Sequence, residues 1–329
     1  MKQILTTLFD QQTLTREEAR EAMFRLGQGG VNASETAAFM TVYRMRPITV
    51  PELSGFRDAL LDLCRDPELG THEVLDIVGT GGDGKDTLNI STLACFVAAG
   101  AGYKVAKHGN FGVSSVCGSS NILAHFGYDF EAPSDTLRRQ LDEANICFLH
   151  AAAFHPAMRH AGPVRRELGV RTFFNILGPL VNPARPAAQL AGVFSLELLR
   201  LYNYLFQQTS TRYAVVHALD GYDELSLTGT AKVVSARGEQ VVTAATLGMP
   251  TYTATDLAGG QTIAESAALF LQVLDNQGTP AQRDVVTANA ALAIQCADPA
   301  FSLPDALGVA RESLVSGRAR GAFRQLLNV

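Results

Sequence analysis

Residues 76–92 read DIVGTGGDGKDTLNIST and predict a strand, a loop and a helix, in that order. The apolar run at 74–78 indicates a buried strand, and an alanine-rich helical segment opens at 89–92. The loop between them carries Gly79, Gly81, Gly82 and Gly84. Glycine lets a backbone approach an anion closely, and the first N–H groups of a helix point towards it. The segment suits a phosphorylated ligand, although the glycine spacing alone fits a plain strand-to-helix turn equally well.

The glycine loop fits neither of two common nucleotide-binding patterns. It does not combine G-x-G-x-x-G with the usual acidic residue further along the chain, and it lacks G-x-x-x-x-G-K-[ST]. Dinucleotide and P-loop sites are therefore poor interpretations.

The composition is that of an ordinary globular protein. With 329 residues, of which 47% are hydrophobic, the chain is long enough for one large domain and a smaller one. A formal net charge of −5 argues against a nucleic-acid surface spread over the whole protein. Five cysteines are scattered without C-x-x-C pairs, so we expect reduced, structural thiols. No apolar run reaches ~18 residues and no export signal is recognised, so the cytoplasm is the expected compartment.

The first 68 residues predict helices only. Three polar residues are each followed three positions later by Glu, a pattern typical of helix starts: Thr15 with Glu18, Asn32 with Glu35, and Thr49 with Glu52. Residues 65–70 break the pattern and indicate a linker. From position 74 onward strands and helices alternate, which indicates a mainly parallel central sheet covered by helices. The predicted fold class is α/β, with a small all-helical domain and a large α/β domain.

The same periodicity predicts the bounds of the later elements. Candidate strands are 74–78, 103–107, 146–150, 189–194 and 213–218, followed by a hairpin of 231–236 and 240–245. Candidate helices are 90–100, 119–126, 135–144, 196–208, 263–275, 280–296 and 304–327. In an open sheet of this type ligands bind beyond the carboxyl ends of the strands, which is where the glycine loop falls.

Three further segments carry polar residues that suit binding. Residues 107–119 follow a strand and combine a lysine, glycines, an asparagine and serine hydroxyls, which suits a second anion site, although a solvated loop can have the same composition. Residues 154–183 contain several arginines, and an arginine can grip a carboxylate with two parallel hydrogen bonds. The simpler interpretation is an exposed helix face with Arg165 or Arg166 paired to Glu167 or to solvent. Residues 220–224 include adjacent carboxylates that suit Mg²⁺, although a plain surface turn has the same composition.

Eight segments together resemble the anthranilate phosphoribosyltransferases of tryptophan biosynthesis. In chain order they are DIVGTGGDG (76–84), NIST (89–92), KHGN (107–110), VSS (113–115), HPAMR (155–159), VRRELG (164–169), FNILGPLVNP (174–183) and DGYDE (220–224). Pyrimidine nucleoside phosphorylases of the same superfamily share the glycine loop and the KHGN segment without this Asp-Glu pair. The family loop commonly reads KHGNR, whereas this chain has Phe111, so an aromatic face replaces a positive charge.

The resemblance implies a fold, an assembly and a reaction. Residues 1–68 with about 155–182 would form the small helical domain, and 70–154 with 183–329 the large domain that binds phosphoribosyl pyrophosphate. A homodimer with small-molecule substrates is expected, with no nucleic-acid or membrane partner. The enzyme would transfer the phosphoribosyl group of 5-phosphoribosyl 1-pyrophosphate to the amine of anthranilate, giving N-(5-phosphoribosyl)anthranilate and pyrophosphate. A pyrimidine nucleoside phosphorylase-like enzyme and a nucleic-acid-binding paralogue are the alternatives.

The resemblance also implies the residues of the site. Those expected to bind phosphoribosyl pyrophosphate are Gly79, Gly82, Asp83, Thr87, Asn89, Ile90, Ser91, Thr92, Lys107, His108, Gly109, Asn110, Ser114, Ser115 and Ser119. Those expected to bind or line anthranilate are Gly79, His108, Asn110 and Arg165. Two Mg²⁺ ions on the pyrophosphate would be held by Ser91, Asp223 and Glu224. No residue is assigned as a general base, because the aromatic amine is already a nucleophile and its proton can pass to the carboxylate of anthranilate or to water.

Overall fold

The structure is a computed structural model that describes residues 1–112 and 115–329. The helices are α1 (Lys2–Phe9), α2 (Arg16–Gly27), α3 (Ala33–Met45), α4 (Val50–Leu63), α5 (Ile90–Gly100), α6 (Ser119–His125), α7 (Ser134–Ala144), α8 (Ala151–Phe154), α9 (Gly162–Leu168), α10 (Leu196–Phe206), α11 (Ile263–Leu274), α12 (Pro280–Ala297), α13 (Leu303–Val315) and α14 (Arg318–Asn328). The strands are β1 (Leu75–Gly79), β2 (Val105–Gly109), β3 (Ile146–His150), β4 (Ala188–Gly192), β5 (Arg212–Ala218), β6 (Ala231–Ser235) and β7 (Gly238–Val242). Short 3₁₀ helices span Pro156–His160, Phe173–Ile176, Gly178–Leu180, Ala245–Leu247 and Ala254–Leu257. Of the helices formed by these residues, none has both the length and the apolar character needed to cross a bilayer.

The described chain divides into two compact units. One consists of Met1–Asp66 with Ala151–Arg185, and the other of Pro67–His150 with Pro186–Val329. The first unit contains α1–α4, α8, α9 and three of the 3₁₀ helices, and the second contains every strand named above. The predicted α/β fold class with helices at the N-terminal end is confirmed.

The three predicted helix starts of the first unit are confirmed. At each one the side chain of the cap residue accepts a hydrogen bond from the N–H of the glutamate three positions later, and that glutamate accepts one from the N–H of the cap. The pairs are Thr15 with Glu18, Asn32 with Glu35, and Thr49 with Glu52. Each pair satisfies two N–H groups that a helix start otherwise leaves without a partner.

Glu52 also forms the polar centre of this unit. Its carboxylate is fully buried and accepts hydrogen bonds from the N–H of Leu14 (3.1 Å), the hydroxyl of Tyr43 (3.1 Å) and the guanidinium of Arg46 (3.0 Å to Oε2). Burial acts to raise the pKa of Glu52, but the hydrogen bonds from Arg46 and Thr49 lower it below its ordinary value. Removing the arginine would leave a buried charge uncompensated, at a cost of about 3–5 kcal/mol.

The second unit is organised around a seven-stranded sheet in the order β3-β2-β1-β4-β5-β6-β7. The first five of these strands are parallel, and β6 and β7 are antiparallel additions at one edge. From β1 the chain continues to β2 and β3 on one side, and it then returns to β4 on the other side of β1. Because the connections leave β1 and β4 in opposite directions, a crevice opens beyond the carboxyl ends of these two strands.

Helix α5 lies in the core of the second unit because it is apolar on all sides. Each residue from Leu93 to Ala99 is at most 1% exposed. The helix packs against α12, α13 and α14, and the hydroxyl of Ser313 donates a 2.7 Å hydrogen bond to the carbonyl of Val97. This packing fixes the first turn of α5 at the edge of the sheet where β1 ends.

Two predicted elements differ from the structure. The helix predicted at 304–327 is wrong, because the chain forms α13 and α14 with a break at Gly317, whose φ of 78° lies in the left-handed region that ends helices. The hairpin is shorter than predicted. Ser235 pairs with Gly238, so the turn consists of residues 236 and 237.

Candidate functional site

Three loops of the second unit are joined by hydrogen bonds beyond the carboxyl ends of the parallel strands. They follow β1, β2 and β5 and span residues 80–89, 110–118 and 219–230. The amide of Asn89 donates to the carbonyl of Cys117 at 2.9 Å, which joins the first loop to the second. The loop after β5 is joined to the first through its acidic residues.

We call the loop after β5, residues 219–230, the acidic loop. It enters a gap between the ends of β1 and β4. Gly79 and Gly192 are register partners in these strands. A Cβ atom on Gly192 would overlap the carbonyl oxygen of Asp223, and one on Gly79 would overlap a carboxylate oxygen of the same residue. We call this gap the glycine notch. A side chain at either position would displace Asp223, so both strands need glycine here.

Backbone N–H groups hold two carboxylates of the acidic loop. Asp223 Oδ2 accepts a 2.7 Å hydrogen bond from the N–H of Gly81, and Glu224 Oε1 accepts a 2.9 Å bond from the N–H of Ser91 in the first turn of α5. The positive end of the helix dipole favours the second bond. Asp223 is buried and Glu224 is half-buried, so a plain surface turn does not describe this segment.

The carboxylates of the site repel one another. Burial and the charge of Asp83 raise the pKa of Asp223 to about 7. Burial and the charge of Asp223 raise the pKa of Glu224 well above its ordinary value, and Lys107 opposes this shift. A bound cation stabilises ionised carboxylates, so this pair favours a hard cation such as Mg²⁺.

The protein supplies only part of the coordination shell that such a cation needs. In the part of the chain that the structure describes, no three His, Cys, Asp or Glu residues form a metal-binding group. Mg²⁺ takes six oxygen ligands and usually keeps waters or binds substrate phosphates. The donor set therefore fits Mg²⁺ bound together with a phosphorylated ligand.

Lys107 and His108 lie at the end of β2 and are both buried. The ammonium of Lys107 donates to the carbonyl of Ile77 at 2.7 Å and is 3.4 Å from the hydroxyl of Ser91. The N–H of His108 donates to a carboxylate oxygen of Asp76 at 3.4 Å. The lysine therefore places a positive charge beside the N-terminus of α5, where an anion would also be favoured.

The loop after β2 is closed on itself by Asn121. Its side-chain oxygen accepts hydrogen bonds from the N–H groups of Gly112 (2.9 Å) and Gly118 (3.0 Å). The carbonyl of Asn110 accepts a 3.4 Å hydrogen bond from the hydroxyl of Ser119. The side chain of Asn110 is exposed and that of Ser119 is half-buried. The predicted ligand Ser114 lies outside the residues that the structure describes.

Phe111 packs within an aromatic cluster. Its ring lies edge-on to those of His150, at 5.0 Å between centroids, and Phe130, at 6.1 Å. The Nδ1 atom of His150 is hydrogen-bonded to the hydroxyl of Ser120 at 2.9 Å, and burial lowers the pKa of this histidine. The N–H of Phe111 donates to the side-chain oxygen of Asn110 at 2.8 Å. The residue that departs from the common family loop therefore anchors the loop through its ring and its backbone.

The remaining predicted ligands of the second unit lie in the same loops, at the end of β2 or in the first turn of α5. Asp83 Oδ1 accepts a 3.0 Å hydrogen bond from the N–H of Lys85, and Thr87 forms an isolated antiparallel bridge with Ala258. Half-buried residues are Gly82, Asn89, Gly109 and Ser115, and fully buried ones are Ile90 and Thr92.

Arg165 belongs to the first unit, in the short helix α9. Its guanidinium carbon lies 5.0 Å from the centroid of the Phe174 ring. It is half-buried, which lowers its pKa, whereas the adjacent Arg166 is exposed. None of the ion pairs among the described residues involves either arginine, so the simple pairing with a neighbouring glutamate is not observed.

The sequence predictions miss three residues that shape the site. Gly192 ends β4 but falls within the strand predicted at 189–194, where an isolated glycine signals a close backbone approach. Asn289 of α12 is buried and holds Leu225, the residue after the carboxylate pair, by accepting from its N–H (3.0 Å) and donating to its carbonyl (2.8 Å). Lys85 contacts the ring of Tyr222. No local sequence pattern predicts the roles of Asn289 and Lys85, because their partners are far away in sequence.

Comparison with known families gives two matches that follow one another along the chain. Residues 2–64 match the helical bundle domain of a glycosyl transferase family, and residues 71–320 match the α/β domain of that family.

Curated relatives and solved structures agree with these matches. The chain is 55% identical to an anthranilate phosphoribosyltransferase of Cytophaga hutchinsonii over 99% of both chains, and 48% identical to one of Bacteroides thetaiotaomicron over 100% of this chain and 99% of the relative. The crystal structure of anthranilate phosphoribosyltransferase from Thermus thermophilus superposes with a TM-score of 0.93 at 37% identity, covering 99% of this chain and 98% of the other. The Saccharomyces cerevisiae enzyme in complex with PRPP and Mg shares the fold, with a TM-score of 0.90 at 24% identity over 99% and 96% of the two chains.

We expect Gly192→Ala to destabilise the protein by about 3 kcal/mol, because the added methyl group overpacks the glycine notch against a backbone carbonyl. Denaturant unfolding measures the change. Gly308→Ala is the matched control, since a Cβ at that exposed position of α13 meets no atom within 4 Å. The control should be stabilised by about 0.5–1 kcal/mol, as expected for glycine replaced inside a helix. Equal stability of the wild type and Gly192→Ala would contradict the conclusion that the glycine notch has no room for a side chain.

Proposed function

The chain belongs to the anthranilate phosphoribosyltransferase family, and we propose that the three loops beyond the sheet edge form its substrate site. The enzyme transfers the phosphoribosyl group of 5-phosphoribosyl 1-pyrophosphate to the amine of anthranilate, giving N-(5-phosphoribosyl)anthranilate and pyrophosphate, in tryptophan biosynthesis. The observation that carries the site assignment is the Asp223–Glu224 pair, bound to the glycine loop and to the first turn of α5. Carboxylates, the positive end of the α5 dipole and a lysine together suit a phosphorylated substrate that carries Mg²⁺.

Phosphoribosyl pyrophosphate is assigned to the loops that follow β1 and β2. Its ligands are Gly79, Gly82, Asp83, Thr87, Asn89, Ile90, Ser91, Thr92, Lys107, His108, Gly109, Asn110, Ser114, Ser115 and Ser119. Two features support the assignment. Gly81, Gly82 and Gly84 have φ values of 62°, 76° and 74°, so this backbone follows a path that only glycine adopts readily. Lys107 adds a fixed positive charge at the start of α5.

Ser91, Asp223 and Glu224 are proposed to hold two Mg²⁺ ions. The hydroxyl and the two carboxylates are hard oxygen donors, and substrate oxygens complete the coordination shell. When bound, Mg²⁺ neutralises the charge that develops on the pyrophosphate as it departs. The N–H groups that hold the carboxylates keep both residues in place before the substrate arrives.

Anthranilate is assigned to Gly79, His108, Asn110 and Arg165. Arg165 is proposed to bind the carboxylate, because a guanidinium can donate two parallel hydrogen bonds to it. Contact with the Phe174 ring restricts the orientation of this guanidinium. Asn110 supports the same role, since its side chain is exposed while its oxygen is fixed by the N–H of Phe111.

The reaction is a displacement at the anomeric carbon. The amine nitrogen of anthranilate forms the new bond as the bond to the pyrophosphate oxygen breaks, so the configuration inverts. The protein positions the two substrates, and Lys107 together with the positive end of the α5 dipole stabilises the leaving anion. No general base is assigned, because the proton of the amine can pass to the carboxylate of anthranilate or to water.

The assembly and compartment are also proposed. We assign residues 1–68 with about 155–182 to a small domain and 70–154 with 183–329 to the substrate-binding domain, close to the two compact units. A homodimer is supported by exposed apolar side chains on the helical unit, among them Phe9, Met45 and Val170. Cytoplasmic location is supported by the free thiols of all five cysteines.

The reaction is tested by the loss of anthranilate fluorescence on mixing the enzyme with anthranilate, phosphoribosyl pyrophosphate and Mg²⁺. We expect decay with Mg²⁺ and none in excess EDTA. Replacing both carboxylates (Asp223→Asn with Glu224→Gln) should lower turnover at least about 100-fold, because the leaving group loses its charge stabilisation. Asp220→Asn, in the same loop, is the control and should be near wild type. Unchanged turnover in the double variant would remove the metal role.

The acceptor assignment is tested by steady-state kinetics of Arg165→Ala. We expect the KM for anthranilate to rise about tenfold, because a charge-assisted contact to the carboxylate is lost, with less change in the KM for the ribosyl donor. Arg166→Ala removes a neighbouring exposed arginine from the same helix and should leave both constants near wild type. Equal increases for the two substrates in Arg165→Ala would contradict the assignment.

A further inference from the structure

Lys85 belongs to the glycine loop, and its side chain reaches the acidic loop. Its ammonium is 4.6 Å from the centroid of the Tyr222 ring, and its stem passes Gly221, where a Cβ would be 3.8 Å from the lysine Cε. Tyr222 is only 3% exposed and directly precedes Asp223 in the chain. The side chain of Lys85 therefore spans from the glycine loop to the acidic loop.

The ammonium of Lys85 is held weakly. None of the ion pairs formed within residues 1–112 and 115–329 includes it. The nearby carboxylate of Asp83 accepts from the backbone N–H of Lys85 at 3.0 Å. A lysine over a tyrosine face gains only about 0.5–1 kcal/mol when it is partly solvated. A stronger anionic partner can therefore draw the ammonium off the ring at small cost.

Lys85 also carries the one positive charge of an acidic segment. Residues 79–89 contain Asp83, Asp86 and this single lysine. The acidic loop adds Asp223 and Glu224. The ammonium of Lys107 is fixed in place by its hydrogen bond to the carbonyl of Ile77. A polyanionic substrate entering this acidic surface gains most from a cation that can still move towards it.

We propose that Lys85 is a further substrate-binding residue, which moves from the Tyr222 ring to the pyrophosphate group of the ribosyl donor. This inference rests on the proposed assignment of the donor to these loops. The pyrophosphate group is shared by the donor and by the released product, so Lys85 binds both. It makes no contact with anthranilate, and the KM for anthranilate is independent of it.

The inference is tested with Lys85→Met and Lys85→Arg. Methionine keeps an apolar stem against Tyr222 and removes the charge, whereas arginine keeps the charge. Titration calorimetry with inorganic pyrophosphate and Mg²⁺ measures affinity without turnover. We expect about tenfold weaker binding in Lys85→Met, corresponding to one charge-assisted hydrogen bond, and recovery of most of the affinity in Lys85→Arg. The KM for the donor should rise in parallel.

The control is Lys232→Met, which removes the same charge from a lysine that is ion-paired with Glu239 at 2.6 Å in the antiparallel hairpin. It should leave pyrophosphate affinity unchanged. Wild-type affinity in Lys85→Met, or a loss in Lys85→Arg as large as that in Lys85→Met, would overturn the inference. If the proposed function itself were wrong, the wild-type enzyme would show no transfer to anthranilate. This result distinguishes that case from a failure of the Lys85 inference alone.

Discussion

The close approach of Asp223 to the ends of β1 and β4 is the constraint on which the site depends. Gly79 and Gly192 are paired across these strands, and a side chain on either would collide with Asp223. The notch allows the acidic loop to reach the glycine loop, where Gly81 donates to Asp223. Because Gly79 and Gly192 have no side chains, the acidic loop can take this position. The orientation of its carboxylates and the access of an anion to the first turn of α5 follow from that position.

The rest of the second unit supports this contact. Helix α5 is buried on all sides, so its first turn cannot shift without disturbing the core. Asn289 of α12 binds both backbone groups of Leu225 and fixes the chain directly after the carboxylate pair. The N–H of Ser91 then completes the arrangement by donating to Glu224. Rigid elements therefore hold both sides of the acidic loop before any ligand is bound, which reduces the cost of ordering the site.

The charges of the buried Asp223–Glu224 pair favour the binding of a charged ligand. Burial and the charge of Asp83 raise the pKa of Asp223 to about 7, and burial and the charge of Asp223 raise that of Glu224 above its ordinary value. The pair is therefore unfavourable when both carboxylates are ionised and no cation is present. Cations bound with a polyphosphate relieve this repulsion. The geometry is thus better suited to a metal-bound substrate than to the metal or the anion alone.

The sequence predicts much of this architecture, because the decisive patterns are local. The capping pairs of Thr15, Asn32 and Thr49, the glycine loop and the strand-helix alternation can each be recognised within a few residues. What escapes prediction depends on distant partners or on single backbone angles. Gly317 divides a helix because of its positive φ, and Gly192, Asn289 and Lys85 acquire their roles only when the chain is folded. The assignment of the individual substrate ligands stays a prediction.

We propose that the carboxylate pair in the acidic loop binds the ribosyl donor through Mg²⁺. The most direct measurement is titration calorimetry of phosphoribosyl pyrophosphate into the wild-type protein, once with Mg²⁺ and once with EDTA, with a separate titration of Mg²⁺ alone. We expect tight binding only when donor and Mg²⁺ are both present, and weak binding of either alone. Equal affinity for the donor in Mg²⁺ and in EDTA would contradict it.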